Sequence, residues 1–135
     1  MEPPIPGFTV FSRSSPYLDL IGPLWSHRGD DGLRFAFVID ERHLNGRGVA
    51  HGGVLAGLAD VALGYAGALT HDPPAQLITA TLTIDYVGTA APGDVVVSTT
   101  DVQKIGRRLG FANCYLSVGD TRIVRASAVF ANTTR

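Results

Sequence analysis

One segment in the middle of the chain limits the possible folds more than any other. Over residues 52–70, apolar side chains recur at helical spacing: Leu55, Leu58, Ala62, Tyr65 and Leu69. The opposite face of the same helix is also apolar or very small, with Val54, Gly57, Val61, Gly64 and Ala68. Because a helix without a polar face is unsuited to a protein surface, we expect this helix to be buried on all sides.

The remaining chain supplies strands that can surround such a helix. Residues 24–28 and 32–39 predict a hairpin, with its turn at the glycines and aspartates between them. Strand patterns separated by Gly-containing turns follow at about 76–89, 94–105, 108–119 and 121–132. The order of elements predicts an α+β fold in which an antiparallel sheet of about six strands wraps one long central helix.

The length of the chain, 135 residues, is typical of a single domain, which we place at residues 14–135. Residues 1–13 are rich in proline and are expected to form an N-terminal arm. Ser14 or Ser15 can cap a short helix that has Pro16 at its first position. The Gly22-Pro23 pair is expected to end that helix.

Composition excludes several classes of function. The formal net charge is -1 and no basic run is present, so nucleic acid is not an expected partner. Neither a secretory signal nor a membrane-spanning apolar run is recognised. The single cysteine, Cys114, fits a reducing compartment, and we expect a cytoplasmic protein. Cys114 lies within a predicted strand and is interpreted as a core or pocket residue rather than a nucleophile.

The sequence also lacks the spacing of common metal and serine-hydrolase sites. Its histidines are scattered at His27, His43, His51 and His71, without a partner cysteine pair or an HExxH motif. No GxSxG motif is present, which argues against a serine nucleophile of the α/β-hydrolase type. No metal site is therefore expected.

Asp60 is the only charged residue between His51 and His71. It lies in the middle of the predicted apolar helix, where an unpaired carboxylate is costly. A carboxylate held at such a place is a candidate acid, base or nucleophile. The alternative is a structural carboxylate satisfied by a neighbouring backbone or hydroxyl group.

Gly52 and Gly53 begin the same helix. The first turn of a helix presents unpaired backbone N–H groups and a partial positive charge, and glycine lets a ligand approach them closely. Such a group can stabilise an oxyanion. The alternative is a tight turn into the helix without a chemical role.

The spacing of Asp60 and Gly52 has a geometric consequence. Eight residues separate them, or roughly 12 Å along a helix axis. One reacting carbonyl must lie about 3 Å from both groups. Two antiparallel copies of the helix across a two-fold axis would bring Asp60 of one chain to Gly52 of the other. The spacing therefore favours a homodimer with shared sites.

Residues 43–60, HLNGRGVAHGGVLAGLAD, resemble the hotdog-fold thioesterase superfamily, and most closely its phenylacetate-degradation (PaaI-like) branch. Asn45 precedes His51 by six residues and Asp60 follows His51 by nine, as in that branch. Residues 79–86 with 91–94 resemble the family's strand after the helix, and 106–111 its later turn. The similarity covers roughly residues 15–132.

The resemblance implies a role for each matching position. Asp60 corresponds to the carboxylate that acts as nucleophile or general base, and the Gly52 N–H to the oxyanion donor. Asn45 corresponds to a side chain that positions the carbonyl or water, against the alternative of a loop-capping Asn. Thr79 corresponds to a Ser or Thr near the catalytic water; the alternative is an ordinary strand threonine. His51 is expected to shape the turn before the donor glycine.

The implied reaction is hydrolysis of acyl-CoA thioesters to free acid and CoA, without a metal or redox cofactor. The residues expected to bind the substrate are Gly53, Tyr17, Leu20 and Tyr65 around the acyl group, and Lys104, Arg107 and Arg108 near the CoA phosphates. The alternative for the three basic residues is a solvent-exposed turn that does not bind the substrate. The resemblance further implies that dimers assemble in pairs, as a homotetramer.

Two other functions remain open within the same fold. A hotdog hydratase or dehydratase would need a catalytic histidine paired with an acidic residue in a different arrangement. A non-catalytic acyl-CoA-binding protein would usually carry an added DNA-binding segment and would not need Asp60. The acyl chain, and the choice between nucleophilic and general-base catalysis, are left open.

Overall fold

The computed structural model describes residues 1–135, arranged as one antiparallel sheet around one long helix. The strands are β1 (Thr9–Val10), β2 (Trp25–Gly29), β3 (Gly32–Val38), β4 (Leu77–Tyr86), β5 (Val95–Ile105), β6 (Leu109–Val118) and β7 (Thr121–Asn132). The helices are α1 (Pro16–Ile21) and α2 (Gly52–Ala68), with a 3₁₀ turn at Glu41–His43. The sheet order is β1-β2-β3-β5-β6-β7-β4. This architecture confirms the predicted α+β fold.

The sheet has seven strands rather than about six, because the N-terminal segment contributes one. In the predicted arm, Thr9 pairs with Ser26 and Val10 pairs with Trp25. The adjacent Phe8 is buried in a small cluster with Trp25 and Ala36. Part of residues 1–13 is therefore integrated into the edge of the sheet.

The helix α2 is buried on one face only. Its buried residues Leu55, Leu58, Ala62 and Leu63 belong to the same core as aromatic residues of the sheet, including Phe35, Phe37 and Phe130. The other face, with Val54, Gly57, Val61, Gly64 and Ala68, is only partly buried. The expectation of burial on all sides is wrong for a single chain, because the sheet covers one side of the helix.

The short helix α1 begins as the sequence predicts and is held at its end by distant residues. Ser15 caps it, accepting a hydrogen bond from the Leu18 N–H at 3.2 Å, with Pro16 at the first position. At the other end, the Arg42 guanidinium donates to the carbonyls of Leu20 and Gly22, each at 2.6 Å. These bonds fix the position of α1 relative to the segment that leads into α2.

Strand β4 is an outer strand of the sheet. It pairs with β7 along one edge and no strand pairs with its other edge. The pairing is interrupted by a bulge between Thr79 and Thr81. Ile78, next to the bulge, is 60% exposed.

None of the helices combines the length and apolar character that crossing a membrane requires.

Candidate active site

Asp60 lies on the partly open face of α2, where it meets the outer strand β4. Its Oδ1 accepts a hydrogen bond of 2.7 Å from the Thr79 hydroxyl. Bulges change the direction of side chains along a strand and recur beside active sites. The bulge after Thr79 thus occurs where the Thr79 hydroxyl meets the helix. The bond leaves the second carboxylate oxygen of Asp60 available to a water molecule or a substrate.

A cavity of about 400 Å³ opens beside this pair. Asp60, Thr79, Gln76 and Arg13 contribute its polar lining, and the rest is largely apolar, with Val61, Tyr65, Leu69 and Phe130 among its residues. A small acyl group fits a space of this size and character. A larger depression of about 560 Å³ lies over residues such as Thr99, Asp101 and Arg125 and contains neither Asp60 nor Thr79. The smaller cavity is therefore the one that contains the candidate carboxylate.

The residues expected around the acyl group separate in the structure. Tyr65 lines the cavity beside Asp60, whereas Tyr17 and Leu20 do not. The Tyr17 hydroxyl occupies the space where Gly57 has no side chain, so a Cβ at Gly57 would collide with it. Leu20 is 69% exposed. Tyr17 therefore packs against α2 one turn before Asp60, and Leu20 faces solvent.

The start of α2 is organised by His51. The His51 Nδ1 accepts a hydrogen bond from the Gly53 N–H at 2.8 Å, which makes His51 the N-cap of the helix. The His51 carbonyl accepts from the N–H groups of Val54 and Leu55. Gly53 therefore cannot offer its N–H to a substrate, and His51 is engaged in shaping the turn.

The Gly52 N–H has a different environment. In a trans peptide the N–H points opposite to the preceding carbonyl, and the His51 carbonyl points into the helix. The Gly52 N–H consequently points away from the helix. As the first helical residue it has no carbonyl four residues earlier within the helix to receive it. It is oriented to donate to an acceptor outside the helix, as an oxyanion donor must be.

Asn45 lies in the loop before α2. Its Oδ1 accepts hydrogen bonds from the N–H groups of Arg47 at 2.9 Å and Val49 at 3.3 Å. This is the geometry of a loop-capping asparagine, the alternative considered above. The amide nitrogen is the part of Asn45 left to contact a substrate.

The candidate groups do not converge within one chain. The helix runs without interruption from Gly52 to Ala68, so Asp60 lies roughly 12 Å along its axis from Gly52. Lys104, Arg107 and Arg108 form an exposed group at the turn between β5 and β6 and do not line the cavity beside Asp60. The structure thus joins Asp60 with Thr79 and Tyr65, and His51 with Gly52 and Gly53, as two separate clusters.

Two contributors to these clusters were not recognised in the sequence. Arg13, from the predicted arm, lines the cavity beside Asp60. Tyr86, the last residue of β4, donates from its hydroxyl to the Gly52 carbonyl at 2.6 Å. The alternation Leu82, Ile84, Tyr86 was a usable signal, since it places Tyr86 on the helix-facing side of the strand. The contact of Tyr86 with Gly52 depends on the fold and cannot be predicted from the sequence alone.

Cys114 is buried, and burial raises the pKa of its thiol to about 12. At pH 8 only about one thiol in 10⁴ is then ionised. We expect a thiol-reactive disulfide reagent to leave the native protein unmodified and to titrate one thiol per chain after denaturation. Rapid modification of the native protein at that pH would contradict the buried, unreactive state.

Fold and site together define the class of the protein. One long helix wrapped by an antiparallel sheet is the hotdog fold. A family model described as "Thioesterase superfamily" matches residues 47–125, which contain the whole of α2 and β4. The chain belongs to the thioesterase superfamily.

Individual proteins are similar to this chain over most of its length. The Pseudomonas aeruginosa protein PA0474, whose name assigns it provisionally to the esterases, is 44% identical over 125 residues, 92% of this chain and 93% of that protein. The structure of PA5202 from the same organism matches with a TM-score of 0.79 and 30% identity, covering 88% of this chain and 94% of that one. Streptococcus mutans smu.793, solved bound to acetyl CoA, matches with a TM-score of 0.73 and 18% identity, covering 80% and 86%.

Proposed function

We propose that the protein hydrolyses acyl-CoA thioesters at a site shared by two subunits. Asp60 of one subunit would act on a carbonyl that the Gly52 N–H of the partner subunit polarises. The observation that carries the proposal is the cavity beside Asp60 and Thr79, which has an open carboxylate oxygen and a largely apolar wall. It offers space for an acyl group at the one place where α2 carries a charge.

The reaction can follow either of two routes at this site. As a general base, Asp60 takes a proton from water while the hydroxide attacks the thioester carbonyl carbon. The oxyanion that forms is stabilised by the Gly52 N–H of the partner subunit, and the C–S bond then breaks. The proton on Asp60 passes to the leaving thiolate, giving CoA and a carboxylic acid. As a nucleophile, the Asp60 carboxylate instead attacks the carbonyl carbon, the C–S bond breaks, and the CoA thiolate leaves and takes a proton from water. Water then hydrolyses the resulting acyl anhydride to the free acid and restores Asp60.

A second copy of the chain supplies what one chain lacks. Apart from Asp60, the partly buried face of α2 carries mostly valine, alanine and glycine, and the neighbouring edge of β4 has no partner strand. Antiparallel packing of two such helices would place each Asp60 near the opposite Gly52. We propose a homodimer as the catalytic unit, with dimers pairing into a tetramer as the resemblance implies.

The test of this function is a hydrolysis assay on short-chain, medium-chain and aromatic acyl-CoAs. We expect release of CoA from at least one of them, coupled to release of the free acid. Hydration of enoyl-CoA substrates without thioester cleavage would instead establish a hydratase. That outcome is disfavoured because the His51 Nδ1 is engaged by the Gly53 N–H rather than by an acid. Binding of acyl-CoA without turnover would establish a sensor.

The basic turn is proposed to hold the phosphates of CoA. Lys104, Arg107 and Arg108 are exposed, and a solved structure with this fold carries acetyl CoA. Exposed ion pairs contribute only about 0.2–1 kcal/mol each. We therefore expect Arg107→Ala with Arg108→Ala to raise KM several-fold and to leave kcat nearly unchanged.

The matched control for the basic turn is the substrate itself. A truncated thioester that lacks the nucleotide should be hydrolysed equally by the wild type and the double variant. The difference in KM for the full substrate should shrink as salt rises, because salt screens the wild-type contacts. An equal response of both substrates would show that the turn acts through folding or assembly.

A further inference from the structure

Tyr86 holds the turn that carries the proposed oxyanion donor. Its hydroxyl donates to the Gly52 carbonyl at 2.6 Å, across 34 residues of sequence. Its ring covers Gly52 so closely that a Cβ there would stand 3.3 Å from the ring's Cζ and from the hydroxyl oxygen. Nothing in the reaction proposed above uses this contact. Its position over the first residue of α2 requires another explanation.

The peptide group between Gly52 and Gly53 is bonded at both ends. Tyr86 donates to its carbonyl, and the His51 Nδ1 accepts from its N–H at 2.8 Å. Two successive glycines have more backbone freedom than any other pair, and they occupy the first turn of the helix, where such freedom is least restrained. The two side chains therefore fix a peptide plane that the helix alone holds weakly.

Fixing this plane restrains the backbone of Gly52, although the Gly52 N–H itself belongs to the preceding peptide group. The peptide before Gly52 is held by the helix, since the His51 carbonyl accepts from Val54 and Leu55. The peptide after Gly52 is held by Tyr86 and His51. The Gly52 N–H lies in the first plane, and the bond from Tyr86 holds the second, so the two planes together set the backbone dihedrals of Gly52 and restrict how far its N–H can turn.

We propose that Tyr86 is a positioning residue for the oxyanion donor. The inference rests on the proposed function, in which the Gly52 N–H meets the developing oxyanion. An oxyanion donor acts through preorganisation, because it must already point at the place where the charge forms. A small misplacement of such a group costs rate without weakening the binding of the rest of the substrate.

The test is Tyr86→Phe, which keeps the ring over Gly52 and removes only the hydroxyl. We expect kcat to fall about tenfold and KM to stay within about twofold, since the lost interaction acts in the transition state. The melting temperature and circular dichroism should resemble those of the wild type. In ¹H–¹⁵N NMR spectra, the Gly52 and Gly53 amide signals should shift, and the Gly53 amide should exchange faster with solvent.

Tyr115→Phe is the matched control. Its ring lies over the Arg122 guanidinium, 3.7 Å from ring centroid to Cζ, on another part of the sheet. This variant should leave kcat, KM and both glycine signals unchanged. Wild-type kcat in Tyr86→Phe, or a loss shared equally by Tyr115→Phe, would overturn the positioning role.

The NMR measurement separates this inference from the proposed function. If the wild type cleaves no acyl-CoA, the proposed function fails, and shifted glycine signals in Tyr86→Phe would still establish the bond that fixes the turn. If the wild type is active but the Gly52 and Gly53 signals of Tyr86→Phe match those of the wild type, the role of Tyr86 is refuted while the function stands.

Discussion

Replacing Asp60 with asparagine is expected to lower kcat for the best acyl-CoA substrate by about 10²-fold or more. The asparagine carbonyl can still accept the hydrogen bond that the Thr79 hydroxyl makes at 2.7 Å, and its volume is nearly the same. The fold should therefore persist. The amide can neither take a proton from water nor attack a thioester. Steady-state kinetics on the purified variant, with circular dichroism as the check on folding, measures the effect.

Asp101→Asn is the control for this experiment, because Asp101 is exposed and lines the depression that does not contain Asp60. It removes the same charge from the chain and should leave kcat unchanged. A folded Asp60→Asn variant with near-wild-type turnover would make Asp60 a structural carboxylate. The catalytic assignment would then be lost, although family membership would stand.

The long elements were predictable because their apolar residues extend over many positions and turn residues separate one element from the next. The observed bounds of α2 and of the strands β2 to β7 agree with the predictions to within three residues. Strand β1 is different, since a strand of two residues is too short to show a period. Its pairing depends on Phe8, which is buried beside Trp25, a contact between distant parts of the chain.

The sequence pattern of α2 was interpreted correctly as apolar on both faces, but it does not say what covers the second face. In one chain, Val54, Val61 and Gly64 remain partly open. An apolar pattern indicates that a surface is buried, but it does not distinguish burial within the same chain from burial against another chain. The residue spacing between Gly52 and Asp60 points to a second copy for an independent reason.

Some features of the candidate site can be predicted from the local sequence, whereas others depend on contacts between distant parts of the chain. Asp60 is visible in the sequence because a single charge interrupts an apolar helix. The hydrogen bond from Thr79 to Asp60 is not visible in the sequence, because it depends on the register of β4 and on its bulge. The contact of Tyr17 with Gly57 joins α1 to α2, two elements far apart in the sequence, so no local pattern reveals it. Sequence thus indicated which residues are chemically unusual, and the fold determined which of them meet.

A second large effect is expected from Gly52→Pro, which deletes the proposed oxyanion donor. Proline has no N–H, and it is well suited to the first position of a helix, which Gly52 occupies. The preceding residue must be extended, and His51 has φ -63° and ψ 134°. The helix should therefore form normally. We expect kcat to fall by about 10²–10³-fold, the typical cost of removing one oxyanion donor.

Gly52→Ala separates the loss of the N–H from the effect of added bulk. Its Cβ would meet the Tyr86 ring at 3.3 Å, as a proline Cβ would, while the N–H is retained. The alanine variant should lose far less activity than the proline variant. Similar losses in both would assign the effect to crowding against Tyr86, and the Gly52 N–H would no longer be the donor.

Mixing the two inactive variants tests whether the site is shared. When Asp60→Asn and Gly52→Pro chains are refolded together, half of the dimers are mixed if pairing is random. In a mixed dimer, one site receives Asp60 from the proline chain and the Gly52 N–H from the asparagine chain, while the other site has neither. We expect recovery of about a quarter of wild-type activity, whether or not dimers pair further. If both groups acted within one chain, no mixture could restore a complete site, and activity would stay at the level of the separate variants.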